Sequence, residues 1–233
     1  MTGPRTPAAS SLSISDLAVR GEDGRVILTV PALEAAPGVS LAIEGPSGAG
    51  KSTFLYALAG LVTHTSGSIR WGATDLLAAS GTERTRFRKN HLGMIFQDHL
   101  LFEELSPLAN AAISAGYAPR ARRRAIVERA RTLLERFGLG DVEARTVRSF
   151  SGGERQRIAV ARALAGNPDI ILADEPTAAL DRANADRLID DLAGLAREED
   201  RTLIVVSHDA RLTNAMQRRV RIADGRLVEA DAG

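Results

Sequence analysis

The stretch that most constrains the fold of this chain is "GPSGAGKST", Gly45 to Thr53. It follows the apolar run "VSLAIE", which predicts a buried strand, and leads into "KSTFLYALAGL", which has the apolar spacing of an amphipathic helix. In the order strand, glycine loop, helix, backbone N–H groups wrap phosphate oxygens and the helix dipole favours the anion. The sequence therefore predicts an α/β protein that binds phosphates between this strand and this helix.

Within this loop, Gly45, Gly50, Lys51 and Ser52 match the spacing G-x-x-x-x-G-K-S/T. Lys51 is expected to bridge phosphate oxygens, and the Ser52 hydroxyl to ligate Mg²⁺. The only other lysine is Lys89, so a lysine in this loop of an arginine-rich chain indicates a need for a compact point charge. The predicted nucleotide-binding residues of the loop are Gly45, Pro46, Ser47, Gly48, Ala49, Gly50, Lys51, Ser52 and Thr53.

Two further apolar runs end in side chains suited to phosphate chemistry. "DIILADEPT" ends with Asp174 and Glu175, and "TLIVVSHD" ends with His208. We predict that Asp174 faces the magnesium ion and that Glu175 acts as the base or orients the attacking water. His208 is expected to donate to the phosphoryl oxygens or to hold that water. The structural alternatives are an acidic start of a helix or loop for Glu175 and a packing or capping role for His208.

A second anion-binding pattern is "SFSGGERQRIA", Ser149 to Ala159. Ser151 and Glu154 have the spacing of a capping box, which alone would explain a well-formed helix start. Gly152 and Gly153 are not needed for a cap and cost conformational entropy, but they let an external group approach the backbone N–H groups. Because the first loop already surrounds most of a nucleotide's phosphates, we predict that this segment completes a site on another copy or on a partner subunit.

The composition excludes several classes of protein. The 233 residues carry a formal net charge of +1, which argues against a protein that coats nucleic acid or anionic lipid. No run of about 18 apolar residues occurs and the first residues lack a signal-peptide pattern, so we expect no direct membrane insertion and a cytoplasmic location. The absence of cysteine excludes disulfides. Residues 1–11 are predicted to be disordered.

The order of the remaining segments indicates the architecture. Strands alternate with helices, which predicts a mostly parallel sheet covered on both faces. The region from about Gln97 to Ala165 is expected to be mostly helical, and the stretch before it, up to Asn90, is polar without a clear pattern. The arginines of "RARRRA", Arg120 to Ala125, are predicted to lie on a solvated helix face. "RVRIADGRLVEA" predicts a hairpin that turns at Asp224 and Gly225.

Together these motifs resemble the ATP-binding cassette (ABC) ATPase family. They occur in the family's order, cover roughly residues 12 to 230, and look most like the bacterial branch of lipoprotein-releasing and macrolide-exporter ATPases. The segments similar to the family's motifs are "GPSGAGKST" (Walker A), "FQD" with Gln97 (Q-loop), "FSGGERQ" (signature), "IILADEPT" (Walker B), "ALD" with Asp181 (D-loop) and "SHD" with His208 (switch histidine).

The resemblance implies an α/β P-loop NTPase of the ABC ATPase fold. Such a fold has a mostly parallel RecA-like core, an N-terminal antiparallel β-subdomain and an α-helical subdomain, here expected at about residues 98–165 of a domain spanning residues 12–230. It implies that Gln97 takes part in catalysis and in holding Mg²⁺, and that Asp181 lies beside the nucleotide. The signature residues of one subunit, here Ser151 to Glu154, would meet the ATP bound by Walker A of the other.

The same resemblance implies the biological setting. ATP and Mg²⁺ would be bound by a head-to-tail dimer, which we expect to be a homodimer. Dimer closure on ATP would drive separate integral membrane permease subunits, with the ATPase lying peripherally on the cytoplasmic face of the inner membrane. The alternative is a non-transport ABC ATPase of the iron–sulfur-assembly or division-complex type. A kinase with the same phosphate loop is disfavoured by the signature.

Two departures from the family pattern stand out. Phe150 occupies the position before the signature serine, where the family usually has leucine. The family's adenine-stacking aromatic is expected near Val19 and Arg20, and neither residue is aromatic. The guanidinium of Arg20 could stack on the base instead.

Overall fold

The computed structural model describes residues 11–140, 145–198 and 200–228. The predicted disordered segment lies outside this part of the chain except for Ser11. The predicted domain boundaries at residues 12–230 and about 98–165 stay predictions. The strands are β1 Leu12–Arg20, β2 Val26–Ala35, β3 Ser40–Glu44, β4 Thr65–Trp71, β5 Thr74–Asp75, β6 Leu92–Ile95, β7 Ile170–Asp174, β8 Thr202–Val206, β9 Arg218–Ala223 and β10 Arg226–Val228. The helices are α1 Lys51–Leu58, α2 Gly81–His91, α3 Pro107–Ala111, α4 Arg120–Arg136, α5 Gly152–Ala165, α6 Arg182–Glu198 and α7 Ala210–Asn214.

The described strands form one curled sheet in the order β5-β4-β1-β2-β10-β9-β3-β8-β7-β6. Strands β9, β3, β8, β7 and β6 are parallel to one another, whereas β1 pairs antiparallel with both β2 and β4. The antiparallel strands β1, β2 and β4 come from the N-terminal third of the chain and form one side of the sheet, and the parallel strands form the other side. This mixed α/β sheet agrees with the predicted fold class.

The parallel core is covered on both faces. Every residue of β7 and β8 is buried, as expected for central parallel strands with helices on each side. Side chains alternate along β7: Ile171 and Ala173 join a core with α4, α5 and α6, while Ile170 and Leu172 join a core with α1 and the antiparallel strands. A hydrophobic core therefore packs on each face of the sheet that carries the loops of the carboxyl edge.

The helical lobe lies between β6 and β7 in sequence and contains α3, α4 and α5. Its apolar residues pack on one another and on the sheet, with Phe150 buried in the same core. The exposed Arg120, Arg123 and Arg124 confirm that the arginine-rich stretch lies largely on a solvated face. Arg122 is partly buried and donates to the Gly166 carbonyl at 3.1 Å.

Helix α2 occupies the polar stretch for which the sequence suggested no regular structure. Only Phe87 is buried along its 11 residues, so the apolar periodicity that reveals a helix is missing. A local signal was present: Ser80 caps the helix and forms a complete capping box with Glu83. Capping chemistry, rather than hydrophobic spacing, therefore marks this helix in the sequence.

The predicted hairpin near the end of the chain is confirmed. Strands β9 and β10 pair antiparallel, and Asp224 and Gly225 between them have φ values of +47° and +70°. Positive φ at both central residues is typical of a tight two-residue turn. The Gly225 carbonyl accepts from Thr29 N at 2.7 Å, which joins this turn to β2. Within the described residues, no helix is both long enough and apolar enough to cross a membrane.

Candidate nucleotide site

The glycine loop joins β3 to α1 as predicted. Gly45 has φ +149°, and a Cβ atom there would lie 2.1 Å from the Ile222 carbonyl oxygen, so the close approach to β9 requires glycine. Gly50 has φ +98° and is the N-cap residue of α1, which has no side-chain cap. The first amide groups of α1 therefore lack intrahelical and side-chain acceptors, as expected at an anion-binding helix start.

The ammonium group of Lys51 lies against the glycine loop. Lys51 Nζ donates to the carbonyl oxygens of Gly45 and Pro46, both at 2.9 Å. These contacts hold the ammonium group beside the loop amides, where it can neutralise a phosphate. Pro46 to Ala49 line a cavity next to the loop, and Thr53 is partly buried in the first turn of α1.

Asp174 is connected to the same helix. It ends β7 and is 1% exposed. Ser52 Oγ donates to Asp174 Oδ1 at 3.1 Å, and Tyr56 Oη donates to Asp174 Oδ2 at 3.2 Å. Burial raises the pKa of the Asp174 carboxyl, against the hydrogen bonds from Ser52 and Tyr56, which lower it. A buried carboxylate paired with a serine hydroxyl is a suitable partial set of oxygen ligands for Mg²⁺.

Glu175 follows directly and forms a second connection. Its φ is +45°, the left-handed region, so the chain bends sharply after β7. Glu175 Oε1 lies 2.8 Å from His208 Nδ1, and Glu175 Oε2 accepts from Ser207 Oγ at 3.1 Å. An ionised carboxylate is an acceptor only, so Nδ1 carries the proton in that pair. The His208 side chain is 75% exposed, which leaves its other ring nitrogen open to the surface.

The sheet topology explains why these residues meet. Neighbouring strands β6, β7 and β8 end level with one another, since Ile95 pairs with Ala173 and Asp174 pairs with Val206. The residues after them, Gln97, Glu175 and His208, therefore emerge at one carboxyl edge, the edge at which such sheets bind ligands. Gln97 is exposed there.

The second predicted anion site, at the start of α5, makes its hydrogen bonds separately from the glycine loop. Ser151 caps α5 and forms a complete capping box: Ser151 N donates to Glu154 Oε2 at 2.8 Å. Hydrogen bonds from Ser151 lower the pKa of the Glu154 carboxyl. A Cβ atom on Gly153 would lie 3.0 Å from Leu180 Cδ2, so packing is one reason for glycine there. Among the described residues, no hydrogen bond joins Ser151 to Glu154 with the glycine loop.

Two other predicted residues have local partners. Asp181 is exposed at the start of α6 and accepts from Asn184 N at 3.0 Å and from Asn184 Nδ2 at 2.6 Å; these bonds lower the pKa of its carboxyl. The Arg20 guanidinium donates to the Gly24 carbonyl at 3.2 Å, within its own hairpin. Val19 is 1% exposed. The nucleotide roles of Asp181 and Arg20 stay predictions.

The structure thus brings two groups of predicted residues together, and adds two that the sequence analysis missed. Ser52 meets Asp174, and Glu175 meets His208. The missed residues are Tyr56, which hydrogen bonds to Asp174, and Ser207, which hydrogen bonds to Glu175. Tyr56 lies four residues after Ser52 on α1, a spacing that puts both on one helix face. That spacing was the available signal for Tyr56.

Comparison with known proteins decides the family. The family model described as "ABC transporter" matches residues 28–178. The lipoprotein-releasing system ATP-binding protein LolD 2 of Rhodospirillum rubrum is 36% identical over 225 residues, covering 97% of each chain. The chain belongs to the ABC transporter ATP-binding family. The predicted family is confirmed, and so is the predicted similarity to lipoprotein-releasing ATPases.

Other relatives agree with this assignment to the ABC family. A LolD protein of Syntrophus aciditrophicus is 42% identical over 196 residues, covering 84% of this chain and 87% of its own. An uncharacterized ABC transporter ATP-binding protein, Rv0986 of Mycobacterium tuberculosis, is 36% identical over 226 residues, covering 97% of this chain and 91% of its own. These names favour a transport ATPase over the iron–sulfur-assembly or division-complex alternative.

Solved structures match the whole ABC ATPase fold. The ATP-binding cassette MJ0796, in a dimeric post-hydrolysis state bound to ADP and Pi, superposes with a TM-score of 0.84 at 29% identity. The match covers 95% of this chain and 98% of that one. The protein is therefore a nucleotide-binding ATPase subunit of the ABC transporter type, and the predicted enzyme class is confirmed.

Proposed function

We propose that two copies of this ABC ATPase bind two ATP molecules head to tail and hydrolyse them to drive a membrane permease. The observation that carries the proposal is the junction at the carboxyl edge of β7 and β8. There the Ser52–Asp174 and Glu175–His208 pairs extend from adjacent residues, beside the uncapped start of α1. The Ser52–Asp174 pair is suited to binding a metal ion, and the Glu175–His208 pair to orienting the attacking water.

Glu175 is the proposed base or water-orienting group. It is held at three points: by Ser207 Oγ, by the His208 amide at 3.4 Å and by His208 Nδ1. Its side chain is 12% exposed, so it is largely removed from water yet lies at the surface of the site. Such a fixed carboxylate can align an attacking water without reorganising during the reaction. His208, bound to it, would then contact the transferred phosphoryl group.

The residues present fit a magnesium ion. Within the described parts of the chain, no group of three or more acidic or histidine side chains could hold a metal alone. Mg²⁺ commonly takes one or two carboxylates and completes its shell with substrate phosphates and water. Ser52 and Asp174, with Gln97 at the same edge, would hold it. The ion would neutralise charge on the phosphates.

The second copy would supply the start of α5. The capping box satisfies the amides of Ser151 and Glu154 within the chain. The amides of Gly152 and Gly153 come first in the helix, and Gly152 is exposed. They are therefore available to phosphate oxygens held by the Gly45 loop of a partner copy. Asp181 follows Leu180, whose side chain lies against Gly153.

The permease partner and the location are proposed from the relatives. The LolD proteins named above belong to lipoprotein-releasing systems. We propose that this ATPase likewise works with integral membrane permease subunits, that it lies on the cytoplasmic face of the inner membrane, and that the transported molecule is a lipoprotein. The region from Gln97 through the helical lobe is the proposed contact for the permease.

The test is the variant Glu175→Gln. It keeps Ser52, Asp174 and Lys51, so ATP and Mg²⁺ binding should persist while turnover falls by roughly 10²- to 10⁴-fold. Loss of the carboxylate charge also lowers repulsion toward the γ-phosphate. Size-exclusion chromatography should therefore show a dimer that forms with ATP and is long-lived. The control is Glu128→Gln, an exposed glutamate on α4, which should behave as the parent protein.

Two outcomes would contradict the proposal. A Glu175→Gln protein that hydrolyses ATP at the parental rate would remove Glu175 from the mechanism. A variant that binds ATP and stays monomeric would refute the head-to-tail dimer.

A further inference from the structure

The β1–β2 hairpin contains a bulge beside the glycine loop. Val19 pairs with Leu28 and Arg20 pairs with Val26, so Ile27 is the extra residue on β2. In a regular strand, consecutive side chains point to opposite faces, but a bulge re-aims them. Val26 and Ile27 are accordingly both exposed, at 41% and 42%, whereas Leu28 is fully buried. The bulge thus puts two adjacent aliphatic side chains at the surface.

These two side chains line a cavity that also contains the phosphate loop. The cavity has a volume of about 590 Å³. One wall is Val26 and Ile27, the second is Pro46 to Ala49, and the third is the Asp224–Gly225 turn. The turn is held against β2 because the Gly225 carbonyl accepts from Thr29 N at 2.7 Å. A nucleotide whose phosphates lie in the loop has this cavity next to it for its ribose and base.

None of the described residues that line this cavity is aromatic. The first aromatic residue of the sequence is Phe54, and it is fully buried. Val19 and Arg20, at the position where an aromatic was expected, do not line the cavity: Val19 is buried and Arg20 donates to Gly24. The residues that line the cavity therefore cannot supply an aromatic stack for a base.

We propose that the nucleobase rests on the aliphatic platform of Val26 and Ile27, and that the site binds purine and pyrimidine triphosphates with similar affinity. The inference rests on the proposed nucleotide site and concerns only how the base is held. Aliphatic contact depends on buried area and is non-directional, so it distinguishes bases poorly. Aromatic stacking would add roughly 5- to 100-fold in affinity.

The polar groups of the cavity do not restore discrimination. Strong selection between bases needs buried hydrogen-bonding groups that are left unpaired by the wrong base. The polar side chains that line the cavity, those of Asp23, Arg25, Ser47 and Asp224, are all exposed. Asp23 Oδ1 already accepts from Arg25 N at 3.0 Å. Exposed groups exchange a base for water at little cost. Affinity therefore comes from the phosphates, Lys51 and the loop amides.

Binding can be measured without hydrolysis. Isothermal titration calorimetry with Mg²⁺ and the β,γ-imido analogues of ATP, GTP and UTP should give dissociation constants within tenfold of one another. Inorganic tripolyphosphate with Mg²⁺ should compete with all three analogues. A preference above tenfold for any one base would overturn the inference while leaving the proposed function intact. No binding by any of the four ligands would overturn both.

The variant Ile27→Tyr tests the position of the base. Tyrosine is well tolerated in strands, and it supplies the missing ring. We expect the dissociation constants of the three analogues to fall by roughly 5- to 100-fold, with that of tripolyphosphate unchanged. The control Leu61→Tyr adds a ring at a similarly exposed aliphatic residue, 45% exposed and outside the cavity lining, and should change none of them. The inference fails if Ile27→Tyr leaves nucleotide affinity within twofold, or strengthens tripolyphosphate equally.

Discussion

Helices α1 and α5 both begin with an anion-binding pattern, yet they satisfy their first amide groups in different ways. Helix α1 starts at the left-handed Gly50 and has no side-chain cap. Helix α5 starts at Ser151, whose hydroxyl accepts from Glu154 N, while Glu154 accepts from Ser151 N at 2.8 Å. The first four N–H groups of any helix lack intrahelical partners. Helix α1 therefore leaves its first amides to a ligand or water, whereas the capping box of α5 provides acceptors for some of its own.

Under the proposed function, this difference gives the two helix starts unequal shares of one nucleotide. The start of α1 would bind the phosphates, with Lys51 beside it. The start of α5 is folded independently of any ligand, and only the amides of Gly152 and Gly153 remain for one. Helix α2 provides an internal control, because Ser80 and Glu83 form the same capping box with no link to the site. A capping box alone is therefore no sign of binding.

The largest expected effect is at α1. Lys51→Ala should abolish detectable nucleotide binding and hydrolysis, because the loop then loses the ammonium that compensates the phosphate charge. Lys89→Ala is the matched control, since Lys89 is the only other lysine and its Nζ lies 5.4 Å from the centre of the Tyr117 ring. Calorimetry and phosphate release measure both. Near-parental turnover in Lys51→Ala would show that α1 does not hold the phosphates.

The next largest effect is a difference between the caps of α5 and α2 in ATP-dependent dimerisation. In the Glu175→Gln background, Ser151→Arg should abolish the ATP-dependent dimer, because a bulky side chain would occupy the place of the partner's phosphate contact. Ser80→Arg alters the equivalent cap of α2 and should leave the dimer intact. Size-exclusion chromatography with ATP compares the two. Equal loss in both variants would mean that cap damage, rather than a shared site, explains the result.

Much of this architecture was predictable from the sequence, and the misses have a common cause. Strong apolar runs such as "IILAD" and the glycine loop predicted the sheet, α1 and the residues at its carboxyl edge. Helix α2 was missed because its surface is polar, so its apolar period is absent. Tyr56 and Ser207 were missed because their contacts depend on how the elements pack. Tyr56 contacts Asp174 and Ser207 contacts Glu175, and local spacing in the sequence does not determine these contacts. The bulge at Ile27 is likewise a property of strand pairing.

A smaller effect concerns stability at the α1 site. Burial raises the pKa of Asp174, so its ionised form opposes folding. Well below pH 4 the carboxyl is protonated in both states, so burial makes no difference; the penalty grows as pH rises from the unfolded-state pKa through the raised native pKa, and above the native pKa it is constant. Asp174→Asn should therefore melt higher than the parent at pH 7 without nucleotide, by about 2 to 4 °C for each kcal/mol recovered, and this gain should vanish at about pH 3.

The control for Asp174→Asn is Asp181→Asn, because the pKa of Asp181 is shifted in the opposite direction. Hydrogen bonds from Asn184 lower the pKa of Asp181, so its ionised form favours folding and Asp181→Asn should not raise the melting temperature at pH 7. Differential scanning calorimetry at the two pH values measures both variants. An Asp174→Asn protein that melts below the parent at pH 7 would show that the bonds from Ser52 and Tyr56 outweigh burial.

The smallest effect distinguishes a cap from a binding site most directly. Ser151→Ala and Ser80→Ala each remove one capping hydroxyl, and each should lower the free energy of unfolding by about 0.5 to 2 kcal/mol in urea denaturation of the nucleotide-free protein. The folded monomers should thus be nearly equivalent. Their behaviour with ATP should differ, since Ser151→Ala also removes a hydroxyl from the surface offered to the partner's phosphates, whereas Ser80→Ala does not. We therefore expect weaker ATP-dependent dimerisation in the Glu175→Gln background only for Ser151→Ala. Equal dimerisation by both variants would confine Ser151 to capping and leave the amides of Gly152 and Gly153 as the whole contribution of α5.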